Sequence, residues 1–168
     1  KHLFFIFLGV IVIFTFSSIN QKRLYKFSFF LFFISLFFLF LVPLIGVEVK
    51  GSQRWIDFYL LPRFQPIEIV KPFLIVSISL ILSSEKYSNL YLKYFLTLTI
   101  TLIVVLLLVL QPDLGQTLLV LLSWSVLIFT SGISIVFLLI LFLISIIAIS
   151  YLVIFVPKFG YIKNRLLS

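Results

Sequence analysis

Long runs of Phe, Leu and Ile alternate with short polar breaks along this chain, and the run lengths predict helices that cross a bilayer. About 20 apolar residues cover the ~30 Å of hydrocarbon in a membrane. On that measure six spans can be drawn, at about 3–19, 27–47, 66–84, 94–110, 114–130 and 133–156. The polar turn Asn20-Gln21-Lys22-Arg23 ends the first, and a loop of mixed polarity, 48–65, separates the second from the third. The apolar stretch 94–130 is too long for one crossing at ~1.5 Å per residue. Pro112 lacks an N–H and crowds the preceding turn, so a break is predicted at Gln111-Pro112-Asp113. Ser131-Gly132 then turns the chain into the last span. The expected architecture is an all-α, polytopic transmembrane bundle, with residues 1–168 as one membrane domain.

Composition sharpens this picture. A mean hydropathy of +1.34 excludes a soluble core. With no Cys and one His, disulfides, thiolate sites and multi-His metal centres are excluded within this stretch. The acid/base groups reduce to five carboxylates: Glu48, Asp57, Glu68, Glu85 and Asp113. The net charge of +8 is scattered along membrane segments and offers no soluble face for nucleic acid. A chain that opens at Lys1 and contains no Met reads as an internal piece of a longer one, and the first apolar run is not followed by a cleavage region. Six crossings put the 48–65 loop, the Gln111-Pro112-Asp113 turn and the basic tail Lys158–Arg165 on one side, with Lys22, Arg23, Lys26, Lys86 and Lys93 on the other. The first side carries slightly more Lys and Arg, which by the positive-inside rule favours a cytoplasmic location for it. The tail itself suits adhesion to a membrane surface.

Two polar islands stand out against this background, because ionisable groups in a membrane are costly and mark function by default. The first holds Arg54, Gln65, Glu68 and Lys71. Gln65, Glu68 and Lys71 recur at steps of three and share one helical face. Pro66 suits the first helical turn, and Pro72 denies the Glu68 carbonyl its helix partner. This pair reads either as a structural ion pair or as part of a polar cavity for a charged lipid headgroup. Arg54-Trp55 reads as an interfacial anchor or, with Lys50 and Arg63, as a basic rim for phosphate. The second island is Gln111-Pro112-Asp113-Leu114-Gly115, where Asp113 either caps the fifth span or lines the same cavity.

Gly51-Ser52-Gln53-Arg54-Trp55-Ile56, then Phe64-Gln65-Pro66-Ile67-Glu68-Ile69-Val70-Lys71, then Gln111-Pro112-Asp113-Leu114-Gly115 resemble, in this order, the motifs of the SEDS family of bacterial cell-wall polymerases, typified by FtsW and RodA. Ile67 stands where the family usually has Ser. Gly46-Val47-Glu48-Val49-Lys50 looks more like FtsW. The resemblance covers the second to seventh of the family's ten spans and implies a location in the bacterial inner membrane, with the motif side outside the cytoplasm, against the charge bias. It implies a peptidoglycan glycosyltransferase that polymerises lipid II during cell division, with a class B penicillin-binding protein and other division proteins as partners. On this reading Arg54 and Lys71 bind the diphosphate, Glu68 orients Lys71, and Gln65 and Asp113 support the cavity. The family's general base lies in a loop beyond Ser168, so this stretch is expected to be inactive alone. No ligand set here argues for a metal, although the chemistry leaves room for a divalent cation. Two other readings belong to the same resemblance: a transporter (flippase) of lipid-linked precursors, and a non-catalytic scaffold of the division machinery.

Overall fold

The structure, a computed structural model, describes residues 2–49, 52–57, 63–85, 87 and 89–155. Among them are six helices and one hairpin: α1 (His2–Ser17), α2 (Gln21–Ile45), β1 (Val47–Val49), β2 (Ser52–Trp55), α3 (Pro66–Ser83), α4 (Leu90–Leu110), α5 (Leu114–Thr130) and α6 (Ile135–Phe155). The all-α bundle expected from hydropathy is the one found. Helices α2, α3 and α4 are long and apolar enough to cross a membrane, and the apolar stretches of the other three are shorter. Lys1, Lys50, Gly51, Lys86 and the basic tail, all invoked above, lie outside the described residues.

Two helix starts fall earlier than hydropathy placed them, for the same reason. Helix α2 begins at Gln21 rather than at residue 27, because Asn20 is its N-cap and accepts from the Lys22 N–H at 3.4 Å. Helix α4 begins at Leu90 rather than 94, with Asn89 accepting from the Tyr91 N–H at 2.9 Å. An Asx cap satisfies an otherwise orphan donor, so the helix extends past the apolar run into its polar flank. The 48–65 loop also contains more order than its composition suggests. Strands β1 and β2 pair antiparallel, with Val47 opposite Trp55 and Val49 opposite Ser52, and the register shifts between Val47 and Glu48. A further bridge joins Ile56 to Phe64 through two backbone hydrogen bonds of 3.0 and 3.2 Å. Gly46 makes the entry to this hairpin possible, since a Cβ there would collide with the Val42 carbonyl.

The core lies among α2, α3, α4 and α5. Ser28, Phe32, Ser35, Leu39 and Val42 of α2 are buried at alternating steps of four and three. That spacing gives a straight seam of the coiled-coil type, and its partner is α3, which buries Ile67, Val70, Leu74, Ser77 and Ile78. The serines keep the two backbones close, as small residues do between helices in lipid. Helices α1 and α6 are apolar on nearly every side and largely exposed, the pattern of a surface bathed by lipid tails.

The break between α4 and α5 falls where Pro112 predicts it. It is no surface loop, however: Gln111, Pro112, Asp113 and Leu114 are all buried. Gln111 serves the packing. Pro43 sits inside α2 and has no N–H for the carbonyl four residues back, at Leu39. The Gln111 side chain, 1% exposed, supplies that donor from α4, with Nε2 3.0 Å from the Leu39 oxygen. A proline defect in one helix is therefore repaired by an amide from another. Gln111→Ala is expected to lower stability by about 1–3 kcal/mol, the cost of leaving a buried acceptor unmet. In a Pro43→Ala background, which restores the missing N–H, the same change should cost much less. Equal losses in both backgrounds, read as thermal midpoints in detergent, would disprove the repair.

Candidate functional site

The first turns of α3 and α5 meet beneath the hairpin, and Arg54, Gln65, Glu68, Lys71 and Asp113 come together there. Asp113 is the hub. It is the N-cap of α5, with Oδ1 accepting from the Gln116 N–H at 3.3 Å, while Thr117 donates its hydroxyl to the Asp113 carbonyl at 2.7 Å. Its carboxylate also faces Arg54 of β2, with Nη1 3.5 Å from Oδ1, and Arg54 Nη2 donates to the Pro112 carbonyl at 3.2 Å. Gln65, the N-cap of α3, makes no cap bond with its side chain. The amide reaches across to donate to Asp113 Oδ2 at 3.0 Å. One carboxylate, 3% exposed, thus gathers a strand, a helix start and a helix cap.

Glu68 and Lys71 lie one turn further along α3. Lys71 Nζ sits 2.8 Å from Glu68 Oε2, and the other oxygen, Oε1, accepts from Gln116 Nε2 at 2.9 Å. The lysine is mostly covered and the glutamate half open, with 21% and 53% of their side chains exposed. That asymmetry leaves the carboxylate nearer the surface and the ammonium more covered. The two islands of the sequence are consequently one chain of contacts: Arg54 to Asp113, Asp113 to Gln116, Gln116 to Glu68, and Glu68 to Lys71.

One sequence expectation is corrected. Arg63 does not join Arg54 in a shared basic rim. It pairs with Asp57 at 2.7 Å, clasping the neck of the loop next to the Ile56–Phe64 bridge. Among the described residues Arg54, Arg63 and Lys71 each face a carboxylate, so these three cations sit in ion pairs. Among the described residues no three acidic, His or Cys side chains converge as metal ligands. The acids of the site are both committed to donors.

Gln116 is the member that sequence reasoning missed. Its signal was legible: it stands three residues after Asp113, the spacing of a capping box, in which a Gln side chain folds back to the N-cap N–H. Here that N–H is already bonded to the Leu108 carbonyl at 2.9 Å, which frees the Gln116 amide to cross to α3.

Residues 1–168 match the cell cycle protein family of FtsW, RodA and SpoVE over their whole length. The chain belongs to the SEDS family. It is 34% identical over 171 residues to the probable peptidoglycan glycosyltransferase FtsW of Buchnera aphidicola and 32% identical over 170 residues to that of Wigglesworthia glossinidia brevipalpis. Each alignment takes in 100% of this chain, but only 47% and 44% of the relative. Among solved structures, Thermus thermophilus RodA superposes with a TM-score of 0.71 at 33% identity, covering 83% of this chain and 46% of that one. A chain from a structure of a peptidoglycan synthase complex that coordinates polymerization and crosslinking superposes with a TM-score of 0.76 at 29% identity, over 94% of this chain and 47% of that one. This SEDS chain therefore spans about half the length of the relatives it matches. Membership makes it a multi-pass protein of the bacterial cytoplasmic membrane.

Asp113→Ala removes the acceptor of three donors at once, and is expected to cost about 1.5–3 kcal/mol, as for hydrogen bonds to charged groups. Asp113→Asn keeps one cap oxygen and should cost less. Because Arg54 and Asp113 share one interaction, combining Arg54→Ala with Asp113→Ala should destabilise by less than the sum of the two. Additive losses in a detergent unfolding cycle would show that the 3.5 Å pair carries no energy.

Proposed function

We propose that residues 1–168 form one membrane domain of a peptidoglycan glycosyltransferase that polymerises lipid II during cell division. The observation that carries this reading is the continuous polar chain from Arg54 to Lys71, set between apolar helices of a SEDS fold. In such a reaction the 4-hydroxyl of an incoming lipid II attacks the anomeric carbon of the growing glycan. The bond to undecaprenyl diphosphate breaks, and the hydroxyl proton passes to a base. The protein must offer positive charge where the diphosphate departs and an acceptor for that proton. Arg54 and Lys71 are assigned the diphosphate, exchanging a carboxylate partner for phosphate oxygens that present the same geometry to a guanidinium or an ammonium. Glu68 orients Lys71, and Gln65 and Asp113 hold the framework. The base is assigned to the part of the family's length outside this chain, since Glu68 and Asp113 are each held by cations and amides. A divalent cation, where present, would neutralise the diphosphate beside Lys71. The FtsW relatives favour division as the setting, and the synthase-complex structure supports a crosslinking enzyme, a class B penicillin-binding protein, as partner.

The test uses the intact protein with labelled lipid II, reading polymer on a gel and headgroup flipping in vesicles. Lys71→Ala and Arg54→Ala should each lower the polymerisation rate by roughly 100-fold or more, the scale seen on removing one charge-stabilising donor. Asp113→Asn should cut turnover strongly in protein that still inserts and folds. Polymer at the normal rate from Lys71→Ala sinks the diphosphate assignment, and flipping without polymer in the wild type replaces the enzyme by a transporter.

A further inference from the structure

Gln116 touches both ion pairs of the site. Its backbone N–H donates to Asp113 Oδ1, the oxygen that faces Arg54, and its side-chain Nε2 donates to Glu68 Oε1, whose companion oxygen holds Lys71. Glu68 is half exposed, and an exposed carboxylate on a helix ordinarily samples several rotamers and binds a lysine three residues on only weakly. With one oxygen held by α5 and the other by Lys71, this one has a single arrangement. Its carboxylate plane is set from a neighbouring helix, and so is the position of the ammonium paired with it.

The orientation of the Gln116 amide is equally constrained. Turning it over would place Oε1 against the Glu68 carboxylate, so the donor must face α3. Oε1 is buried and has no hydrogen-bond partner. An unmet buried acceptor is uncommon and unfavourable, and the side chain keeps this posture despite it. A leucine or methionine would fill the space without that penalty, so packing alone does not account for a glutamine here. The bond to Glu68 does.

We propose that Gln116 is a positioning residue, which fixes Glu68 and through it Lys71 for the diphosphate of a lipid-linked substrate, and couples that cation to the Arg54–Asp113 pair. It rests on the assignment of Lys71 to the diphosphate. The coupling has a consequence: displacement of Asp113 from Arg54 by an arriving phosphate shifts the first turn of α5, and Gln116 carries the shift to Glu68 and Lys71. The two cations then engage one ligand together rather than separately.

The experiment measures the Kd of fluorescent lipid II for the intact protein in nanodiscs, with polymer formation read in parallel on the same samples. Gln116→Met keeps length and volume but has no donor, and should raise Kd about tenfold, the effect of losing one hydrogen bond to a charged group. Its thermal midpoint should stay near that of the wild type, because the orphaned acceptor is lost as well. Gln116→Glu sets a second carboxyl against Glu68, and two such groups tend to share a proton. Its binding should be poor near about pH 8 and recover toward about pH 5.5, where a protonated carboxyl again donates to Glu68. The wild type, with the same Glu68, Lys71, Asp113 and Arg54, is the control at each pH. Unchanged Kd in Gln116→Met, or no recovery of Gln116→Glu on acidification, overturns the proposal. Tight binding with no glycan from the wild type overturns the polymerase reading instead, and leaves the Gln116 comparison standing.

Discussion

A buried carboxylate in a membrane protein is tolerable only if it is neutralised and hydrogen-bonded from all sides, and Asp113 is the place where this chain meets that condition. The desolvation of such a group costs several kcal/mol. The Arg54 guanidinium, the Gln65 amide and the Gln116 N–H offset it together, and each comes from a different part of the chain. The requirement works in both directions. Asp113 needs the three donors, and the donors' positions fix the hairpin, the start of α3 and the start of α5 against one another. Remove the acid and the site loses the point on which its geometry is referenced.

Prolines give the same site its second constraint. Pro112 ends α4 and places Asp113 at the head of a new helix inside the protein. Pro43 and Pro72 each deprive a carbonyl of its helix donor, at Leu39 and Glu68 respectively. In lipid no water repairs such defects cheaply, so another part of the protein has to. At Leu39 the repair is visible: Gln111, the first residue of the second polar island, reaches from the end of α4 into α2. The Gln-Pro-Asp run thus combines three roles in three residues, with an amide that mends a neighbouring helix, a ring that breaks its own, and an acid that organises the site.

Several parts of this arrangement were legible from residue types and spacing. The steps of three among Gln65, Glu68 and Lys71 put them on one face, and Pro112 required a break. The hairpin was not legible, because a seven-residue ladder of mixed polarity looks like any loop until β2 packs against α2. Neither was the pairing of Arg63 with Asp57 in place of a common basic rim with Arg54: proximity in sequence says nothing of which acid a flexible arginine meets. The position of Gln116 three residues after Asp113 was legible, but its partner was not. The capping-box spacing points within its own helix, and only in the fold is the Asp113 N–H already bonded to the Leu108 carbonyl, which leaves the Gln116 amide for α3.

By itself the sequence determined the solvent this protein lives in, the six helices among its described residues and which charged residues stand in its polar islands. Those follow from burial energies and backbone chemistry that act within a few turns of chain. The tertiary structure alone decided which charge meets which. Arg54 and Asp113 are separated by nearly sixty residues, and Glu68 and Gln116 by nearly fifty. Their contacts depend on how α3 and α5 cross beneath the hairpin, a matter of side-chain packing over the whole bundle. No local pattern encodes that crossing.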